Sequence, residues 1–155
     1  MSEYYAQITW TRGDDEEYID NRYSRAHQWR FDGGVTVQAS SSPHVVPLPY
    51  SVEENVDPEE AFVASLSSCH MLFFLANAAK RKLVIDEYVD HAVGVMEKDS
   101  DSKVSITKVT LRPRVKFSGS KQPTLEQLER MHHQAHEQCF IANSVKTEVV
   151  TEIDA

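Results

Sequence analysis

The run 58–82 constrains this chain most, because it reads as one long helix with apolar residues on more faces than a water-facing helix can carry. Its start is written in Asp57-Pro58-Glu59-Glu60. Asp57 can accept hydrogen bonds from the unpaired N–H groups of the first turn, Pro58 suits the first helical position, and the two glutamates favour the positive end of the helix dipole. Ala61, Ala64, Ser65, Ser68, Leu72, Leu75, Ala76 and Ala79 recur at three- and four-residue spacing, while Phe62, Phe73 and Phe74 fall on other faces. Such a helix has to be covered on most sides. Lys80-Arg81-Lys82 then places positive charge at its negative end.

The remaining segments supply strands to cover it. Residues 4–11 are rich in aromatic and β-branched side chains and predict a first strand, followed by the acidic loop Gly13-Asp14-Asp15-Glu16-Glu17. Residues 27–31 and 35–39 flank Asp32-Gly33-Gly34 and predict a hairpin, and 40–56 is a long connection without sustained periodicity. Residues 87–98 and 104–117 alternate as a second hairpin about Asp99-Ser100-Asp101-Ser102, with Pro113 marking an edge or a bulge. Thr124 and Gln127 have capping-box spacing and open a second helix that ends near Cys139; residues 144–153 form a last strand. The order β-β-β-α-β-β-α-β predicts an α+β fold of antiparallel sheets around a long buried central helix, as a single domain over 1–155.

Charge and composition narrow the partners. Asp plus Glu number 24 against 16 Lys plus Arg, a formal net charge of -8 that repels nucleic acid and anionic lipid. The first twenty residues have neither the basic start nor the apolar core of a leader, and no uninterrupted apolar run approaches the roughly 20 residues a bilayer requires. A cytoplasmic protein without a membrane partner is expected. There thiols are kept reduced, so Cys69 and Cys139 are read as buried, catalytic or metal-bound rather than as a permanent bridge.

Cys69 lies well inside the first helix among small and apolar neighbours, whereas Cys139 closes the polar run His132-His133-Gln134-Ala135-His136-Glu137-Gln138. A cysteine reacts as thiolate and needs a cation nearby to lower its pKa. Arg22 and Arg25, in a loop leading into a strand, are the candidates. A thiolate that attacks a peroxide becomes a sulfenic acid, which a second thiol can capture as a disulfide. A competing constellation exists. His132, His136 and Cys139 stand at i, i+4 and i+7, and with Cys69-His70 they could offer zinc ligands in a non-catalytic small-molecule or metal-binding stress protein.

Residues 57–69, from Asp57-Pro58-Glu59-Glu60 to Ser67-Ser68-Cys69, resemble the N-P-E…C helix of the OsmC/Ohr family, osmotically inducible protein C-like and organic hydroperoxide resistance proteins. Glu59 stands ten residues before the cysteine, as in that family. Ala135-His136-Glu137-Gln138-Cys139 resembles the family's A-H-x-x-C segment, and Asn143 matches a polar position beyond it. The resemblance spans nearly the whole chain.

It implies an intertwined homodimer with an active site at each subunit boundary. Cys69 would be the peroxidatic thiolate that reduces organic hydroperoxides to alcohols in oxidative-stress defence, and Cys139 the resolving thiol. Arg25, with Arg22 as the alternative, would hold the thiolate, and Glu59 would orient the arginine. No cofactor or metal is implied, only an external dithiol or lipoyl-type reductant. The chain departs from the family pattern at Asp57 in place of asparagine, at His70 after Cys69, and at Phe140-Ile141-Ala142 in place of C-P-x-S after the second thiol. The last of these changes how the chain turns beyond Cys139.

Overall fold

The computed structural model describes residues 1–153, and its contacts divide the chain into two compact units, Met1–Ala61 and the part from Phe62 onward. In the first unit, β1 (Ala6–Thr9), β2 (His27–Phe31) and β3 (Thr36–Ala39) form an antiparallel sheet in sequence order, with Ile8 opposite Trp29 and Trp29 opposite Val37. The hairpin turns where expected, and Gly34 takes the positive φ of 101° that glycine adopts without strain. β1 is shorter than the predicted 4–11. Trp10 leaves the strand, donates its indole N–H to the Ser24 carbonyl at 2.8 Å and packs against Tyr18 and Tyr23. The loop beyond is organised by Glu16, whose carboxylate accepts the N–H groups of Gly13 at 2.7 Å and Ser24 at 2.5 Å.

The connection 40–56 holds neither helix nor strand, as predicted, yet it is tied at both ends. Ser40 N–H donates to the Val56 carbonyl and Val56 N–H to that of Gln38, each at 3.0 Å, which returns the chain beside β3 before the helix starts. Asp57 caps α1 (Pro58–Lys80) as its sequence predicts: its carboxylate accepts the Glu60 N–H at 2.8 Å, and the Glu60 carboxylate accepts the Asp57 N–H at 2.8 Å.

In the second unit the two predicted long strands each divide. Residues 87–98 belong to β4 (Val84–Asp90) and β5 (Val93–Lys98); residues 104–117 belong to β6 (Val104–Leu111) and β7 (Pro113–Ser118). β4 pairs with β7 in one antiparallel sheet and β5 with β6 in another, so each arm of the hairpin serves two sheets. The physical reason lies at the break. Pro113 has no N–H to give a continuous ladder, and the Arg112 N–H turns to the Asp90 carboxylate at 2.6 Å. The last strand, β8 (Glu148–Thr151), is shorter than predicted and joins β6 in parallel, after the 3₁₀ turn Ala142–Ser144. α2 (Leu125–Gln138) opens with both bonds of the predicted capping box, Gln127 N–H to Thr124 Oγ1 at 3.2 Å and Thr124 N–H to Gln127 Oε1 at 2.8 Å. The fold is α+β.

Two cores meet α1. Phe74 and Ala78 are buried with Leu83, Met131 and Ala135, and Leu66 is buried with Val109 and Leu111. Within the single chain only one face of α1 is covered. Ala64, Ser68, Leu72 and Ala76 repeat at four-residue spacing along an exposed face, with Leu72 59% exposed. The same helix has the length and mean hydropathy, 1.5, of a membrane-crossing segment, which the expectation of no spanning run had missed; here it is the core helix of this unit.

Gly94 of β5 lets α1 approach the sheet: a Cβ there would lie 2.7 Å from Val63 Cγ2 and 3.3 Å from Ile106 Cγ2. Both neighbours are branched close to the backbone and cannot swing away. Gly94→Ala should therefore lower the unfolding free energy by about 1–3 kcal/mol, measured by urea denaturation. An unchanged midpoint would show that the helix and sheet are less tightly apposed.

Candidate functional site

The site is built where α1 and the end of α2 bring their cysteines together. Cys69 is carried about three turns into α1 and is partly exposed; Cys139 closes α2 and is 1% exposed. Both are free thiols, and the Cys69 side chain lies near enough to that of Cys139 to act on it directly. Residues seventy apart in sequence thus lie within thiol-to-thiol reach.

The local backbone explains how Cys139 is held. Its N–H donates to the His136 carbonyl at 3.3 Å, its own carbonyl accepts the Asn143 N–H at 3.0 Å, and Asn143 Nδ2 donates to the Glu137 carbonyl at 3.1 Å. The chain therefore folds back over the helix end, and the Ala142 N–H reaches Cys139 Sγ at 3.4 Å. Burial pushes the Cys139 thiol up; the amides of Ala142 and Ile141 act in the opposite direction, while the Cys69 side chain adds to the rise. Phe140, the first residue of the departure from the family pattern, sets its ring edge-on to Phe73 with centroids 5.0 Å apart.

Beside the thiols lies a pair that the sequence offered only as zinc ligands. His70 Nε2 and His132 Nδ1 are 2.9 Å apart in the interior, the two rings lie within 9° of parallel, and His132 stacks on Phe74 with centroids 4.1 Å apart. The signal was present in α2, where Leu128, Met131, His132 and Ala135 repeat at helical spacing. His70 Nδ1 and the Tyr88 hydroxyl are buried without a hydrogen-bond partner among the described residues. Among those residues no three His, Cys, Asp or Glu side chains group as metal ligands, since His132 turns its Nδ1 to His70. Phe74 is in the core, and Phe62 and Phe73 pack against core clusters.

Burial, with the charge of His136 acting the same way against the weaker pull of Asp90, lowers His70 to about 4; burial and then His70 lower His132 to about 3. Both rings stay uncharged in the fold and regain ordinary affinity for protons on unfolding. The unfolded chain then binds more protons below about pH 6.5, and stability complete above that value declines toward about pH 4, by up to about 1.4 kcal/mol per pH unit for each ring. Urea unfolding of wild type and His132→Asn between about pH 7 and 5 should show a shallower decline in the variant. Equal slopes would mean that His132 titrates normally in the fold.

Arg25 and Glu59 belong to the N-terminal unit, where they line one depression of about 230 Å³ with His27, Ser40 and Ser42. Arg22 does not line it; its N–H is bound to Asp20 Oδ1 at 3.0 Å. The Arg25 guanidinium donates to the Asn21 carbonyl at 3.1 Å, to Asn21 Oδ1 at 2.9 Å and to the Tyr23 carbonyl, and lies 3.6 Å over the Tyr23 ring. Glu59 Oε2 is buried with no hydrogen-bond partner among the described residues. The depression thus brings the two side chains to one place without an ion pair between them.

Comparison with known proteins places these features in context. Residues 52–154 match the family model described as OsmC-like protein. A solved structure described as an OsmC-like protein of unknown function from Vibrio cholerae is 65% identical, with 99% of this chain and 100% of that one covered and a TM-score of 0.98. The organic hydroperoxide resistance protein OhrB of Bacillus subtilis shares the fold at 20% identity, with 97% and 98% covered and a TM-score of 0.67. An organic hydroperoxide resistance protein from Elizabethkingia anophelis does so at 15% identity, with 99% and 94% covered and a TM-score of 0.70. No functionally curated protein matches the chain.

Proposed function

Because the chain belongs to the OsmC/Ohr family of OsmC-like proteins, we propose that it is a thiol-dependent peroxidase that reduces organic hydroperoxides to alcohols in oxidative-stress defence. The observation that carries this reading is the close approach of the Cys69 side chain to that of Cys139, two residues seventy apart in sequence. Cys69 as thiolate attacks one oxygen of ROOH, the O–O bond breaks, and the alkoxide leaves as ROH after taking a proton, with the sulfur oxidised to a sulfenic acid. Cys139 then attacks that sulfur; a disulfide forms and water leaves. An external dithiol or lipoyl-type reductant restores both thiols by exchange. No cofactor enters this cycle.

Arg25 is assigned the role of stabilising the Cys69 thiolate and Glu59 that of orienting Arg25. Their shared depression supports pairing them, and the unpartnered Glu59 oxygen gives the guanidinium an acceptor to gain. Two copies would associate as a homodimer through the exposed Leu72 face of α1, giving the rest of that apolar helix its cover. The net charge of -8 favours neither nucleic acid nor an anionic membrane as a partner, and cytoplasmic dithiols would close the cycle.

Cys69→Ser should reduce consumption of cumene hydroperoxide, with a dithiol reductant present, to the uncatalysed background. Cys139→Ser should stop at the Cys69 sulfenic acid, which a second equivalent of hydroperoxide carries on to sulfinic acid in the mass spectrum, whereas wild type shows the loss of two hydrogens that a disulfide brings. Undiminished turnover by Cys69→Ser would overturn the reading.

A further inference from the structure

We propose that His70 and His132 are a positioning dyad that holds α1 and α2 in the register from which Cys139 reaches Cys69. The inference rests on the peroxidase reading for its use in the cell, but its physical content concerns the two thiols alone. His70 follows Cys69 directly, so it projects roughly 100° around the helix from the thiol. While Cys69 meets Cys139, His70 enters the core and meets His132 at 2.9 Å. His132 precedes Cys139 by seven residues, close to two turns, and so shares its side of α2. The two helices are therefore joined twice at this level, once by the thiols and once by the rings.

The ring contact is the stiffer of the two. It is buried, and His132 is held between two residues of α1, hydrogen-bonded to His70 and stacked on Phe74. An N···N hydrogen bond needs one ring to donate and the other to accept, and it fails once the helices slip by about 1 Å, leaving two buried nitrogens unpaired. An apolar pair would fill the same space and tolerate the slip. The charged groups acting on the dyad are His136 on α2 and Asp90 on β4, and the Tyr88 ring of β4 packs on Phe74 beneath His132. Asp90 is engaged by Ser67 Oγ and the Arg112 N–H, so it does not replace His132 as the partner of His70 Nε2. A separate tie, Asn77 Nδ2 to Gln138 Oε1 at 2.9 Å, joins the same helices further along α1 and is left intact by changes at the rings.

Closure of the disulfide can be timed without any peroxide. With reduced full-length protein and 5,5′-dithiobis(2-nitrobenzoate), one thiolate displaces one thionitrobenzoate to form a mixed disulfide, and the other thiol then attacks that protein sulfur and expels the second. His132→Phe keeps the ring stack and deletes the hydrogen bond. It should leave the first release unchanged and slow the second by about tenfold or more, equivalent to about 1.4 kcal/mol of lost positioning. His132→Asn, which returns a polar group near the place of Nδ1, should restore the second release. Wild-type closure by His132→Phe would overturn the proposal, as would closure by His132→Asn no faster than by His132→Phe. Should His132→Phe not fold by circular dichroism, His70→Leu carries the same expectation and the same power to refute. A parallel reaction with cumene hydroperoxide separates the two readings: normal closure with the aromatic disulfide but no reaction with the hydroperoxide would sink the peroxidase assignment and leave the dyad standing.

Discussion

Burial of one face of α1 is the constraint on which the rest of the C-terminal unit depends. Leu66, His70, Phe74 and Ala78 follow one another at four-residue spacing, and each is buried. Leu66 meets Val109 and Leu111 of β6, while Phe74 and Ala78 meet Met131 and Ala135 of α2. The same line of residues thus fixes a sheet and a helix at once. Cys69 rides beside that line, so the packing that brings α2 against α1 also brings Cys139 toward it.

Placing His70 and Asn77 on a buried face imposes a further condition, because a buried polar group without a partner costs about 1–3 kcal/mol. α2 meets it in part, with His132 for the Nε2 of His70 and Gln138 for the amide of Asn77. This explains why a helix that looks polar in sequence can dock against an apolar one. Its inward residues alternate in kind, Met131 and Ala135 supplying apolar area and His132 and Gln138 supplying hydrogen bonds.

What could be read from the sequence was mostly local. The Asp57 and Thr124 caps, the Gly33-Gly34 turn and the limits of both helices follow from interactions within a few residues, and they were legible. The division of the two long strands was not, since alternation continues unbroken through His91 and Ala92, Pro113 signals no more than an edge or a bulge, and the bond from the Arg112 N–H to Asp90 that accompanies the change of sheet is long-range. The parallel seat of β8 on β6 is equally nonlocal. At the site, both cysteines and Glu59 became candidates through motifs, and Arg25, with Arg22 as its alternative, through its place in the loop before a strand. His132 could not be assigned with the same ease, because histidine suits a wet surface, a metal or a satisfied core alike. Only the partner, His70, decides among these, and it lies on another helix.

The two thiols are unlike, and the difference orders their chemistry. Cys139 is sealed in, and burial raises the cost of its charge; the amides at 141 and 142 offset part of that cost without removing it. Cys69 is the more accessible of the pair. An oxidant arriving from solvent would therefore meet Cys69 first, with the Cys139 thiol, its pKa raised, close by. That asymmetry suits the proposed division into an attacking and a resolving thiol. It also gives the segment after Cys139 a physical role despite its departure from C-P-x-S: Phe140 anchors on Phe73, while the N–H groups of Ile141 and Ala142 remain directed at the sulfur. Those amides favour negative charge on sulfur, and so act on Cys139 when it gives up its proton to attack.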